Sequence, residues 1–314
     1  MLSKTIRWGR RVLDNRSAVR RDVSLALSHV GQLPRLLSPG QDEPTAHSEL
    51  DSASYASRGD WLNALVQILT PGRRASCSAG TLVLRPPRTV QEPVGERWFF
   101  INGMACPPPV AILNGLEIAR TFGRPVHLLH IPTAGLAADV LDVAAARTLR
   151  KDGYLSRTAF YVVEEALRQH DKVVLVCHCR GAITASYIVR QLLRSEATRA
   201  LAAKLEIYSI GGIADSLETD ATLSRAAGRP VPYVEHFANG GDYFSRIGIL
   251  SHLDSTAGIV FCIPARTGHL LNQHYLAGIA RGDYCQRSSR LYRYARGRDP
   301  GTAYSVEPAC LDNP

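Results

Sequence analysis

A thiol at position 179 sits in Cys177-His178-Cys179-Arg180-Gly181, directly after the apolar run 172–177 (KVVLVC) and before a stretch of helical periodicity from about 181 to 194. A strand that turns sharply into a helix can hold a nucleophile, in a strained conformation, at the tip of the turn. The residues two before and two after it must then be small, and Cys177 and Gly181 meet that requirement, while Ala182 lets the helix lie close to the strand. The unpaired N–H groups and the dipole at the start of such a helix stabilise a thiolate or a developing oxyanion. A thiolate so placed attacks acyl carbon and leaves a thioester. The ordinary fate of a cysteine is an inert buried thiol, so the reading rests on its companions.

A nucleophile on such a turn takes its acid and its histidine from later in the chain, in that order. After the apolar run 231–237 comes Ala238-Asn239-Gly240-Gly241-Asp242, a loop that would deliver a carboxylate. After the run 259–263 comes Pro264-Ala265-Arg266-Thr267-Gly268-His269, a loop that would deliver an imidazole as a helix begins. The acid orients the imidazole and fixes its tautomer, and the imidazole takes the thiol proton. Asp215 is the alternative acid and His274, inside the last helical stretch, the competing base; His236 and His252 have no comparable placement. An oxyanion would need two N–H donors aimed at one point. One is the N–H of Arg180, and the other comes from Gly103-Met104, where a glycine permits close backbone approach.

The elements that would hold these groups alternate. Strands are expected at 81–85, 98–102, 126–131, 172–177, 205–210, 231–237 and 259–263, with helical stripes between them: Ile112, Leu116 and Ala119; two helices within 134–169, the second carrying Phe160, Val163 and Leu167; Ala185, Ile188, Val189 and Leu192; and a closing helix from about His269 with Leu271, Tyr275 and Ile279. Apolar strands between amphipathic helices imply an α/β fold with a mostly parallel sheet covered on both faces. Residues 1–60 read as a basic helical arm and polar linker, 61–282 as the catalytic domain, and 283–314 as an Arg/Tyr-rich tail.

The net charge of +9 is concentrated at the ends, +6 over residues 1–38 and +5 over 281–298, with −3 over 299–314. A nearly neutral body does not suit a dedicated nucleic-acid binder; an RNA contact would rest on Arg287, Arg290, Arg293 and Arg296 among Tyr292 and Tyr294, a pattern that more often marks a solvated face. Val19, Val23, Leu27 and Val30 share one face of the N-terminal helix, which is expected to lie on the body, with contact to an anionic membrane or a transit segment as weaker alternatives. Seven scattered cysteines form no repeated C-x-x-C pair, so no metal site, no disulfide framework and no cofactor is expected. Without an apolar run long enough to span a bilayer or serve as a secretory signal, a cytoplasmic location is the expectation.

Six ordered segments carry a family likeness: WFFINGM (98–104), FGRPVHLLHIPTAG (122–135), KVVLVCHCRG (172–181), LEIYSIGGIAD (205–215), EHFANGGDYFSRIGIL (235–250) and GHLLNQHYL (268–276). Together they resemble the α/β-hydrolase superfamily and, more narrowly, a sparsely described esterase- or lipase-like branch of it. The likeness spans about 97–282 and excludes both basic ends. It implies Cys179, Asp242 and His269 as a triad, with Gly103-Met104 beside the oxyanion. That branch usually reads His-Ser-Gln-Gly at the turn; here it reads His-Cys-Arg-Gly, which puts plain serine-esterase activity in question and sets a cation, Arg180, beside the nucleophile. Cysteine-bearing members of the superfamily include both acyltransferases and hydrolases, so a small or carrier-bound acyl substrate is implied, and hydrolysis and transfer both stay open. The rival reading is a catalytically silent hydrolase fold that binds a ligand or partner. A papain-like protease would carry a different signature around its cysteine.

Overall fold

The computed structural model describes residues 16–37, 47–69, 79–86, 93–133, 154–217, 230–284 and 288–295, together with 139, 140, 143, 147 and 297. Seven strands form one sheet: β1 (Ala79–Leu84), β2 (Glu96–Ile101), β3 (Val126–Leu129), β4 (Lys172–His178), β5 (Leu205–Ile210), β6 (Tyr233–Gly241) and β7 (Ile259–Thr267). Their order is β1-β3-β2-β4-β5-β6-β7, with β1 antiparallel to β3 and every other pair parallel. Parallel neighbours require crossovers, and the crossover helices cover both faces. This is why the central strands are unbroken apolar runs: every residue of β5 is buried, and every residue of β4 except Lys172.

Among the described residues the α-helices of five residues or more are α1 (Arg16–Ser28), α2 (Arg58–Leu69), α3 (Pro108–Phe122), α4 (Tyr154–Gln169), α5 (Gly181–Arg194), α6 (Tyr243–Ile247), α7 (Ala277–Arg281) and α8 (Arg290–Ala295), with a π-helical turn, Leu271–Leu276, leading into α7. Successive strand residues point to opposite faces. Trp98, Phe100, Val174, Val176 and Phe237 therefore pack with Ile118 and Phe122 of α3 and with Leu271, Tyr275 and Ile279. Phe99, Ile101, Val173, Leu175 and Cys177 face the other way, onto Val163 and Leu167 of α4 and Ile188, Val189 and Leu192 of α5. Strand order, antiparallel edge and two helical layers make this the α/β-hydrolase fold. The chain leaves β2 for β3 on one side and returns to β4 on the other, and ligands of open α/β sheets bind beyond the carboxyl ends at such a switch.

Four sequence-based expectations differ from the structure. The segments 238–241 and 264–267, read as loops, continue β6 and β7, so that only Gly268 separates β7 from His269. The closing helix starts at Leu271 rather than His269. The apolar stripe of α1 points outward: Val23, Leu27 and Val30 are exposed, while Asp22 bonds Arg147 (3.2 Å) and the Ala26 carbonyl accepts from the Tyr243 hydroxyl (3.4 Å). Periodicity locates a stripe without saying what it meets.

The fourth difference concerns the tail. Tyr284, Leu291 and Tyr294 are buried in the core beyond the boundary at 282. Arg290 pairs with Glu206 at 2.9 Å, and Glu235 accepts from the backbone N–H of Arg290 (2.6 Å) and the Ser289 hydroxyl (3.0 Å). Removing one partner of a buried pair typically costs about 3–5 kcal/mol, so this segment is part of the body. Arg290 and Tyr294 are thereby withdrawn from the face on which an RNA contact would depend. The other expected helix within 134–169, and Arg287 and Arg296, lie largely or wholly outside the described residues.

Candidate active site

Cys179 opens the turn between β4 and α5 with φ 51°, a left-handed conformation that a residue with a side chain rarely adopts. Such a conformation costs about 1–3 kcal/mol and persists only where its surroundings impose it. Here they do: the Cys179 N–H donates to the Ile210 carbonyl (3.0 Å), and its own carbonyl accepts from Ala182 (3.1 Å) and Ile213 (3.3 Å). Gly181 is required for a steric reason, since a Cβ there would stand 2.6 Å from the Ile101 carbonyl oxygen. The thiol is completely buried.

β6 delivers Asp242 and β7 delivers His269 to the same end of the sheet, where His269 Nδ1 lies 2.8 Å from Asp242 Oδ2. Oδ2 also accepts from the Tyr275 hydroxyl (2.6 Å) and the Ser245 hydroxyl (2.9 Å), and Oδ1 accepts from the Phe244 N–H (2.9 Å). Burial alone would raise the Asp242 carboxyl; the charge on His269 and these hydrogen bonds outweigh it and hold it below the usual carboxylate range. On His269, burial opposes the charged form, but Asp242 and then Cys179 outweigh it and hold the imidazolium up to about 10. The other ring nitrogen, Nε2, is buried and makes no hydrogen bond of ordinary geometry. Cys179 is close enough to raise the proton affinity of the ring through its charge and a loose hydrogen bond, a looseness common where no substrate is bound.

Gly103 and Met104 follow β2. A Cβ on Gly103 would come 2.9 Å from His178 Nδ1 and 3.0 Å from Cys179 Cβ, so glycine alone lets this backbone reach the thiol. Two side chains that the sequence reading did not single out brace the loop. Asn102 donates to the carbonyls of Gly103 and Ile131 (both 2.9 Å) and accepts from the Ile131 N–H (2.6 Å), fastening the ends of β2 and β3 together. Asp139 accepts from the Ala105 N–H (2.8 Å), and Ala105 is itself left-handed at φ 49°. The guanidinium of Arg180 lies 3.9 Å from Asp139, so the cation expected beside the nucleophile is shared with a carboxylate.

His178 stacks on His269 at 4.6 Å between ring centres, and its Nε2–H donates to the His269 carbonyl (2.9 Å). Burial, reinforced by the charge on His269, pushes His178 down to about 3, so it is a neutral brace. The competing candidates are engaged elsewhere. His274 Nδ1 accepts from the Leu270 N–H (2.9 Å), the His236 Nε2–H donates to the Ala257 carbonyl (3.1 Å), and the His252 Nδ1–H to the Gly248 carbonyl (2.8 Å). Asp215 contributes its backbone carbonyl to the Ser255 hydroxyl, while Asp242 holds His269. Tyr275 and Ser245 are the partners of Asp242 that sequence reasoning missed. Tyr275 reaches Asp242 through tertiary packing, whereas Ser245 lies three residues on, in the helical turn that Asp242 caps.

The raised affinity of His269 has a signed consequence. The charged ring stabilises the fold fully below its unfolded pKa of about 6.5 and loses that contribution as pH climbs toward about 10. In thermal unfolding, the stability gap between the native protein and His269→Gln is expected to narrow across this window. A gap independent of pH would show that the ring is not held charged.

Neither a protein-family model nor a curated protein matches the chain. Among solved structures, it is similar to a bacterial heroin esterase (13% identity, TM-score 0.40, covering 81% of this chain and 94% of that one). It is also similar to a hyperthermophilic esterase from the archaeon Pyrobaculum calidifontis (12%, 0.40, 76% and 91%) and to the esterase Est22 (12%, 0.39, 86% and 97%). The fold is assigned from its own strand order; likeness of this degree carries nothing about the reaction. Among the described residues no group of side chains could hold a metal ion, and no helix is long and apolar enough to cross a membrane.

Proposed function

We propose that the protein is an acyl-transfer enzyme of the esterase or thioesterase kind, working through a thioester on Cys179 with His269 as proton carrier and Asp242 as its orienting acid. The observation that carries this reading is the conjunction of a left-handed cysteine at the end of β4 with a histidine held charged by a buried carboxylate. A merely structural thiol gives no reason for either.

In the first half-reaction the Cys179 thiolate attacks the acyl carbonyl. The negative charge on that oxygen is met by the N–H groups of Arg180 and Met104, a type of contact whose loss typically costs about 10²–10³ in turnover. The C–O or C–S bond of the donor then breaks, and His269 gives its Nε2 proton to the leaving group. In the second, His269 takes a proton from water or from an acceptor thiol, amine or alcohol as that group attacks the thioester. The acyl group leaves, and the thiolate–imidazolium pair is restored.

The silent-binder reading has one observation in its favour, the complete burial of the Cys179 thiol. Intact-protein mass after brief exposure to activated acyl esters and thioesters decides between the two. One acyl adduct is expected on the native protein and none on Cys179→Ala. No adduct from any donor, with Cys179 also inert to iodoacetamide, would establish the silent reading.

A further inference from the structure

A short segment of the N-terminal arm packs against the end of the sheet that carries Cys179 and His269. Leu36 packs against the cluster formed by Met104, Val143, Cys179, Ile213 and Phe244, and the His269 N–H donates to the Leu36 carbonyl (3.2 Å). The cover is a continuation of α1 through the 3₁₀ turn Val30–Arg35, and the pair is held to the body by the polar contacts of Asp22 with Arg147 and of Ala26 with Tyr243. Leu36 thus lies against the cluster that contains the fully buried Cys179.

The outer side of the same arm is apolar. Val23, Leu27, Val30, Leu33 and Leu37 are exposed, Leu27 by 66%. At the alternating spacing of four and three residues that defines one helical face, Arg16 and Arg20 extend the stripe toward the chain start; both are exposed, as are Arg21 and Arg35. This stripe carries arginines and no carboxylate, for Asp22 faces the body. A second copy of the chain would bring like charges together, whereas an anionic lipid surface supplies the missing negative charge and an apolar layer for the leucines and valines.

We infer that the 16–37 arm is a lid that docks by its Val23–Leu27–Val30 face on anionic phospholipid and in doing so draws Leu36 away from Cys179 and His269. The docked face and the sealing residue belong to one short continuous segment, so a lipid contact that reorients α1 acts directly on the seal. The lipid favours the open state only by the affinity it adds to that state. Resting on the acyl-transfer reading, the inference also names a substrate class: acyl groups presented at such a surface.

The test uses the full chain with vesicles of phosphatidylcholine containing phosphatidylserine, and vesicles of phosphatidylcholine alone. Sedimentation reads docking, and the rate of Cys179 alkylation by iodoacetamide, followed by peptide mass, reads opening. Phosphatidylserine vesicles are expected to bind the protein and raise the alkylation rate about tenfold, with binding lost at high salt. Each of Arg16→Gln and Arg20→Gln should weaken partitioning roughly fivefold, and Leu27→Asp with Val30→Asp should abolish both effects. Leu36→Gly should alkylate fast without any vesicle. Absence of sedimentation, sedimentation without faster alkylation, or a lipid-free dimer that the Leu27→Asp, Val30→Asp variant dissolves would each overturn the lid. Neither readout requires acyl chemistry. If vesicle-driven opening is seen while Cys179 refuses every acyl donor, the proposed function and the substrate class fall and the lid stands.

Discussion

Asp242→Asn is expected to lower the rate of Cys179 acylation by about 10⁴-fold while leaving the fold intact, the magnitude typical when the acid of a triad becomes an amide. The reason lies in which atoms Asp242 serves. Oδ1 accepts from the backbone N–H of Phe244 (2.9 Å), a donor that cannot reverse, so the amide oxygen of an asparagine must stay on that side. Its NH₂ then faces His269, Tyr275 and Ser245, which now donate to Oδ2. The two hydroxyls can rotate to accept, as a hydroxyl both gives and takes a hydrogen bond. The imidazole can accept at Nδ1 only by carrying its proton on Nε2, the nitrogen that must exchange a proton with the thiol and the leaving group. The ring would also lose the carboxylate that sustains its charge. Single-turnover acylation by an activated ester measures the loss, and unchanged near-ultraviolet circular dichroism would show the fold retained. A decrease smaller than about tenfold would mean that orientation of His269 by Asp242 is not part of the chemistry.

The arrangement at the carboxyl end of the sheet was legible where its signals are local. An apolar run followed by small-x-Cys-x-Gly says strand, turn and helix, and the left-handed backbone at Cys179 is what that spacing requires. Asp242 and His269 were legible as polar residues at the ends of the next apolar runs. What the sequence hid depends on distance along the chain. Asn102 braces residue 131, and Tyr275 reaches back to Asp242 across thirty-three positions, through contacts that no periodicity encodes. Glycine and proline misled at 238–241 and 264–267, where they read as loop punctuation. In the structure a Cβ on Gly240 would stand 2.3 Å from the Pro264 carbonyl oxygen, so this glycine lets β6 and β7 approach at an irregular register instead of breaking the strand. The outward stripe of α1 was visible as a stripe, but the direction it faces was set by Asp22 and Ala26 on its other side.

Cys179→Ser is expected to reduce acylation by roughly 10²–10⁴-fold, the usual worth of general acid–base assistance, even though most α/β-hydrolases work with a serine at this point. On the proposed reading the site suits a thiol. In the native site Asp242, and after it Cys179, hold His269 charged, and the serine variant keeps the Asp242 contribution; an imidazolium has no free Nε2 lone pair with which to take a proton from a hydroxyl. A thiol needs less such help, because thiols as a class are far more acidic than alcohols and more nucleophilic once ionised. An alcohol in the same place stays protonated and weakly nucleophilic. The serine variant should regain part of its rate as pH rises and His269, no longer supported by Cys179, becomes neutral below the native value of about 10, whereas the native protein should not. Rates of ester acylation for both proteins across that range give the answer. A serine variant as fast as the native protein at neutral pH would show that His269 acts as an ordinary base here and that the cysteine is a replacement without chemical consequence.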